Sequence, residues 1–341
     1  MSPDTALDNL FQNYGNSGTG SSWTGGDGTD SVALPDGREL WFFDDSLLGT
    51  VTNGQRLFHQ AAFLHNSLIV ESNGALTKTY FTLTPKAPEG ATAFLSLRPD
   101  LTFKYGFWPA AAVVNGNSVQ VIGTERVFAR AKYGTERSLS GAYIATLGLP
   151  DLAALGFQRL PVKLTRADWV GGVLTDGGYT YIYLGLTTRI AVARVVGTNL
   201  GSPWTFYDGN GWSPHFSKAV AVESIGFENH FSVIPIGSGN YLFIERDAAW
   251  SNDIMAAIGC SPAGPFGSSE TIYTAPEPST YPASYGGVGT YDAQVHPELS
   301  TSPNTLLASY DVNFVQIPSF EDISDASVYR PRFLQITVTP G

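Results

Sequence analysis

The chain is predicted to be all-β, a single five-bladed β-propeller, and three observations lead there. Its composition is rich in Gly (37), Pro (21) and aromatic residues (13%) and poor in charged ones (14%), as short strands joined by tight turns require. Turn signals recur at Asp36-Gly37, Asn115-Gly116-Asn117, Asp176-Gly177-Gly178, Gly237-Ser238-Gly239-Asn240 and Ser302-Pro303-Asn304. Their spacing of roughly 60 to 80 residues is that of a four-stranded blade with its loops. Each turn is followed by a nearly continuous apolar or aromatic run, which suits a strand buried between neighbouring blades.

Those runs are Leu40 to Phe43, Val119 to Ile122, Tyr181 to Leu184, Tyr241 to Ile244 and Leu306 to Ser309. Third strands are expected at His65 to Val70, Ala142 to Ala145, Ile190 to Val195, Ile254 to Ile258 and Phe333 to Val338. The fifth blade runs out of chain after its third strand. Leu7 to Tyr14 is therefore expected to supply the missing fourth strand, within an N-terminal segment 1–22 that precedes the propeller domain 23–341. The alternative is that 1–22 is only a leader, ending in the Gly/Ser-rich stretch Gly15 to Ser22.

The net charge of −11 disfavours a nucleic-acid or anionic-membrane partner, since both need a basic footprint. A single cysteine, Cys260, allows no intrachain disulfide and reads as a buried strand end. No apolar run is long enough to span a membrane, and the start carries no signal pattern. A monomer is expected.

In a propeller, the start of the first strand and the end of the second share one rim. In blade one this brings Asp27 together with the end of the run Phe43-Asp44-Asp45-Ser46. Asp27 lies between Gly26 and Gly28, which let a backbone approach a ligand closely. Asp44 and Asp45 are adjacent, so on a strand only one of them faces the axis, and Asp45 is favoured. The same rule delivers Trp108, Asp168-Trp169, Glu228-Asn229-His230, Asp292, Gln294 and His296 from first-strand entrances. Second-strand exits add Glu125-Arg126, Glu245-Arg246-Asp247 and Tyr310-Asp311.

A funnel lined by carboxylates and tryptophans fits carbohydrate, whose faces stack on aromatic rings while its hydroxyls hydrogen-bond to carboxylates. The expected substrate-contacting set is Trp23, Asp30, Asp44, Asn66, Trp108, Glu125, Asp168, Trp169, Glu228, Asn229, His230, Trp250 and Asp292. Two of Trp23, Trp108, Trp169 and Trp250 are expected to meet ligand. His230 can orient a carboxylate or a sugar hydroxyl, or serve as a hydrogen-bonded structural histidine. Hydrolysis of a glycosidic bond commonly takes one carboxylic acid and one carboxylate, and Asp27 with Asp45 offers that pair. A serine nucleophile is disfavoured because no Gly-x-Ser-x-Gly elbow occurs. No metal or cofactor is expected: Asp27-Gly-Thr-Asp30 lacks the rest of a calcium loop, and the five histidines are scattered.

The runs Trp23 to Ser31 (WTGGDGTDS), Leu34 to Ser46 (LPDGRELWFFDDS) and His65 to Val70 (HNSLIV) resemble the endo-D-arabinanases of glycoside hydrolase family 183. The motif likeness covers the first 70 or so residues, and beyond them it is one of blade rhythm. The resemblance implies a five-bladed propeller that cleaves α-D-arabinofuranosidic linkages in mycobacterial arabinogalactan and lipoarabinomannan with retention of configuration. It also implies Asp27 as acid/base, Asp45 as nucleophile and a location outside the cytoplasm, secreted or in the cell envelope. Phe43-Asp44 departs from the pattern, in which a smaller Gly precedes the second Asp. Other furanosidase propellers use three acidic residues from different blades, places that Glu228 and Asp168 can fill. Two further readings are a non-catalytic carbohydrate-binding propeller and a propeller glycosidase acting on L-arabinan or fructan.

Overall fold

The computed structural model describes residues 1–18, 22–57, 62–83, 90–101, 104–129, 136–187, 189–222, 230–246, 251–280, 287–300, 302, 304–315 and 324–338. Five antiparallel sheets of four or five strands carry the architecture. The first runs through Asp30–Ala33, Glu39–Phe43, Ser67–Ser72 and Ala75–Tyr80. The second comprises Tyr105–Asn115, Ser118–Phe128, Glu136–Gly148 and Ala153–Arg159. Asp168–Asp176, Tyr179–Leu186, Arg189–Val196, Thr205–Tyr207 and Trp212–Ser213 form the third. The fourth is Ser232–Gly237, Asn240–Arg246, Asp253–Gly259 and Glu270–Thr274. The fifth is Val288–His296, Thr305–Phe314, Pro331–Thr337 and the two residues Ser2–Pro3.

The turns that begin each sheet use the chemistry expected of them. Gly37, Gly116, Gly177 and Gly239 all sit at positive φ, where a Cβ would be strained. The first strand of each sheet lies beside the first strand of the next, and Val288–His296 lies beside Asp30–Ala33 again. Apolar clusters fill the seams between successive sheets. Phe42, Leu68 and Val70 meet Phe107, Val121 and Leu147 at one seam, and Ile122 and Ile144 meet Ile182 and Val195 at the next. Among the described residues, no helix is long and apolar enough to cross a membrane.

The N-terminal segment corrects one expectation. Leu7 to Tyr14 is not a strand but part of a helix, Thr5–Ser17, and the pairing with the last sheet comes instead from Ser2–Pro3, opposite Gln335 and Leu334. Leu7, Leu10, Phe11 and Tyr14 recur at helical spacing, and Asp4 caps the first turn by accepting from the Leu7 N–H at 3.1 Å. Phe11 is 1% exposed and packs on Trp23, Trp41, Phe43 and Phe333. Burial of this kind contributes about 2–3 kcal/mol for a phenylalanine. Cys260 also departs from expectation: it lies just past the strand end and is exposed.

Candidate active site

Asp27 and Asp45 meet through their backbones. The Asp27 N–H donates to the Asp45 carbonyl at 3.3 Å, and the Asp44 N–H donates to the Asp27 carbonyl at 2.7 Å. The strand that leads into Asp27, Ser22–Gly26, pairs with Ser46–Gly49 on the far side of the aspartates. Two buried arginines fasten it. Arg56 donates to the carbonyls of Thr24 and Val328, both at 2.8 Å, and Arg330 donates to Thr24 O at 2.8 Å and to Gln12 Oε1 at 2.6 Å. Gly25 is required here, because a Cβ would lie 2.3 Å from the Tyr329 carbonyl oxygen. Gly28, at φ 63°, is required for the same reason, since its Cβ would fall 2.7 Å from Asp44 Cγ.

The two carboxyl groups have different surroundings. Asp45 Oδ1 accepts from Trp108 Nε1–H at 2.9 Å and is bonded to His65 Nδ1 at 2.8 Å. Asp27 Oδ2 accepts from the Tyr291 hydroxyl at 2.7 Å. Burial raises the Asp27 pKa well above the usual carboxylate range, and the charges of Asp45, Asp44 and Asp311 add to the effect. Asp27 is therefore equipped to carry a proton, whereas Asp45 is bonded by an indole N–H and an imidazole.

Beneath this pair lies a second tier of acids. Asp44 is buried, with Oδ2 3.5 Å from His230 Nε2, and burial and then Asp292 raise its pKa. Asp311 accepts from the Thr29 hydroxyl at 2.8 Å, and burial together with Asp292 pushes its carboxyl up to about 7. Asp292 sits at φ 51° in a break of register between Tyr291 and Gln294. Beside Asp45, the half-buried rings of Trp108 and Trp169 lie nearly parallel, with centroids 6.4 Å apart. The Arg126 guanidinium covers Trp169 at 3.9 Å. Among the described residues, no group of three or more His, Cys, Asp or Glu is arranged to hold a metal ion.

The alternation argument for Asp44 and Asp45 fails for a simple reason. The strand stops at Phe43 and the chain bends through both residues, so both carboxyl groups enter the cluster. Trp108, Trp169, His230 and Asp292 also gather there. Other expected contacts lie elsewhere. Trp23 is fully buried between Phe11 and Phe43 and has no face for a sugar. Asn66 spends its amide on the backbone of Leu95 and Phe107, because a buried amide must find partners. Glu125 is buried in a pair with Arg98 at 3.2 Å, and Asp168 closes its own loop on the Thr165 N–H at 2.6 Å. Asp30 lines a cavity at the other end of the first strands. Glu228, Asn229 and Trp250 lie outside the described residues.

His65, Tyr291 and Tyr329 were not in the expected set. Tyr291 had a usable signal, since it directly precedes Asp292 at a first-strand entrance. His65 stands at the entrance to a third strand, and its contact with Asp45 depends on a turn that the rim rule does not describe.

A family described as a domain of unknown function (DUF5005) matches residues 8–338. The chain belongs to the DUF5005 family. Its fold is similar to that of a "putative hydrolase" from Bacteroides ovatus, with TM-score 0.77 and 21% identity over 98% of this chain and 89% of that one. It is also similar to the GH43_1 enzyme from Xanthomonas citri complexed with xylose, with TM-score 0.52 and 12% identity over 97% and 93%. A thermostable family-43 glycoside hydrolase matches with TM-score 0.50 and 12% identity over 95% and 96%. The chain is thus all-β, with a fold similar to that of the family-43 β-propeller enzymes. A search of the curated proteins gives no match.

Proposed function

We propose that the five sheets are the blades of one closed propeller, and that this propeller is a glycoside hydrolase with Asp27 as acid/base and Asp45 as nucleophile. The cyclic order of first-strand contacts and the apolar seams support the ring. The observation that carries the chemistry is the inequality of the two carboxyls: one is pushed toward its protonated form and bonded by a phenol, the other is gripped by an indole N–H and a histidine. Glycoside hydrolysis needs that division between a proton donor and an anion. The parallel indoles of Trp108 and Trp169 supply a wall for a sugar face beside the pair.

For substrate, the motifs around Asp27, Asp45 and His65 favour α-D-arabinofuranosidic chains of mycobacterial arabinogalactan and lipoarabinomannan, cut internally with retention. Such a substrate places the work outside the cytoplasm. Incubation with these polymers, L-arabinan and fructan, followed by assay of new reducing ends, tests the class. Short D-arabino-oligosaccharides are expected, and NMR of the first-formed anomer reads retention. Release from L-arabinan or fructan alone would move the substrate and keep the mechanism. Arabinan binding with no new reducing ends would leave a carbohydrate-binding propeller instead.

A further inference from the structure

The strand Val288–His296 approaches Asp27 from the fifth sheet, across the seam with the first. Tyr291 pairs with Asp311, the register then breaks, and pairing resumes at Gln294 with Ser309. At the break Asp292 adopts φ 51°, a left-handed conformation unusual for an aspartate in a strand. Bulges of this kind re-aim side chains and cluster beside functional sites. Here Tyr291 is directed at Asp27, with 2.7 Å between its hydroxyl and Oδ2. The amide of Asn313 donates to the same phenol oxygen at 3.3 Å. With an amide N–H arriving at the oxygen, the phenol proton points to the carboxyl.

We propose that Tyr291 is a positioning residue for Asp27, and that the chain Asn313 to Tyr291 to Asp27 fixes the plane of the carboxyl group that exchanges a proton with the substrate. The inference rests on the reading of Asp27 as acid/base. Burial, then the charge of Asp27, raises the Tyr291 pKa well above its usual value, so the hydroxyl keeps its proton and stays a donor. The groups facing Asp27 are Asp45, Asp44, Asp311, Tyr291 and Tyr329. Burial and the three carboxylates favour the protonated acid, and the Tyr291 hydroxyl favours the anion. The phenol, together with the Tyr329 hydroxyl that also bonds Asp27, thus opposes burial and the three carboxylates.

The sign of the test follows. Tyr291→Phe removes a donor to the anion, so Asp27 should titrate at higher pH and the alkaline limb of kcat/KM should move up. Turnover should fall by about a hundred-fold, the scale of a misplaced catalytic group, with KM nearly unchanged. Titration of 13C-labelled aspartate, with the Asp27 signal assigned from Asp27→Asn, reads the same shift with no substrate present. Asn313→Ala should shift both readouts in the same direction by less, and it serves if Tyr291→Phe fails to fold. An alkaline limb and an Asp27 titration that both stay in place would overturn the proposal. Full activity of Asp27→Asn would instead sink the acid/base reading itself, so the two failures are distinguishable.

Discussion

The two ends of the first strands each hold a cluster of acids, and they differ in what the acids touch. At one end Asp27, Asp44, Asp45, Asp292 and Asp311 cluster, with Asp44 beside Trp108, Trp169 and His230. At the other end a cavity of about 450 Å3 is lined by residues of all five first strands, with Asp30, Ser31 and Glu298 on one side. Ser31 donates to Glu298 and lies 2.6 Å from His296 Nδ1. Burial lowers the pKa of His296 to about 3, so it is neutral. Glu39 faces Glu298, and burial, then the charge of Glu298, pushes its carboxyl up to about 9. That end thus holds a carboxyl pair with no indole or phenol bonded to it, in which the hydrogen bond between Glu39 and Glu298 raises the first and lowers the second. The Asp27 end holds carboxyls with different partners: a phenol at Asp27, an indole and a histidine at Asp45, and a second histidine at Asp44.

The largest effect should come from deleting that inequality. Asp27→Asn and Asp45→Asn should each lower the release of reducing ends by about three orders of magnitude or more while circular dichroism stays native. Glu298→Gln, at the opposite end, should leave the rate unchanged, and a comparable loss there would erase the distinction between the ends. Trp108→Phe comes next. It keeps the ring and removes one hydrogen bond to Asp45, worth about 1.5–3 kcal/mol for a charged acceptor, so the rate should fall roughly ten- to a hundred-fold. A wild-type rate would show that His65 alone suffices. Asp311→Asn should act more gently and opposite to the tyrosine variant: with one carboxylate fewer, Asp27 titrates lower and the alkaline limb of the rate profile moves down. An upward shift would contradict the electrostatic origin of the Asp27 pKa.

What was legible in the sequence were features repeated or stated locally. The Gly and Asn turns named each sheet, and the apolar runs after them became second strands at Glu39–Phe43, Ser118–Phe128, Tyr179–Leu186, Asn240–Arg246 and Thr305–Phe314. The rim rule brought Asp27 to Asp45. It could not place Asp44, because a two-residue bend cancels the alternation that the rule assumes. It also sent Trp23 and Glu125 to the site, where a core for the N-terminal helix and an ion pair take them elsewhere, and Asn66, expected at the site from the substrate-contacting set, is a backbone clamp. Leu7, Leu10, Phe11 and Tyr14 carry helical spacing, a local signal that the expectation of a closing strand passes over. Tyr291 could be placed at the rim by its neighbour Asp292, but its aim at Asp27 depends on a bulge that no local pattern announces.

The smallest effect concerns stability at the Glu39 end and tests whether its acids do anything but pack. The folded chain raises the Glu39 carboxyl from 4.5 to about 9, so the folded state binds more protons than the unfolded state between those values. The stability that this group contributes is fully present below about pH 4.5 and is lost as pH rises through about 9. Glu39→Gln carries no such proton. Its melting temperature should therefore gain on the wild type as pH is raised from 5 to 9, while its rate on substrate stays the same. Because Glu39 and Glu298 titrate as a pair, Glu298→Gln should flatten the same curve. Parallel melting curves for wild type and both variants would mean that the pair is solvated and unshifted. The contrast between the ends would then lie in their partners alone, not in their proton affinities.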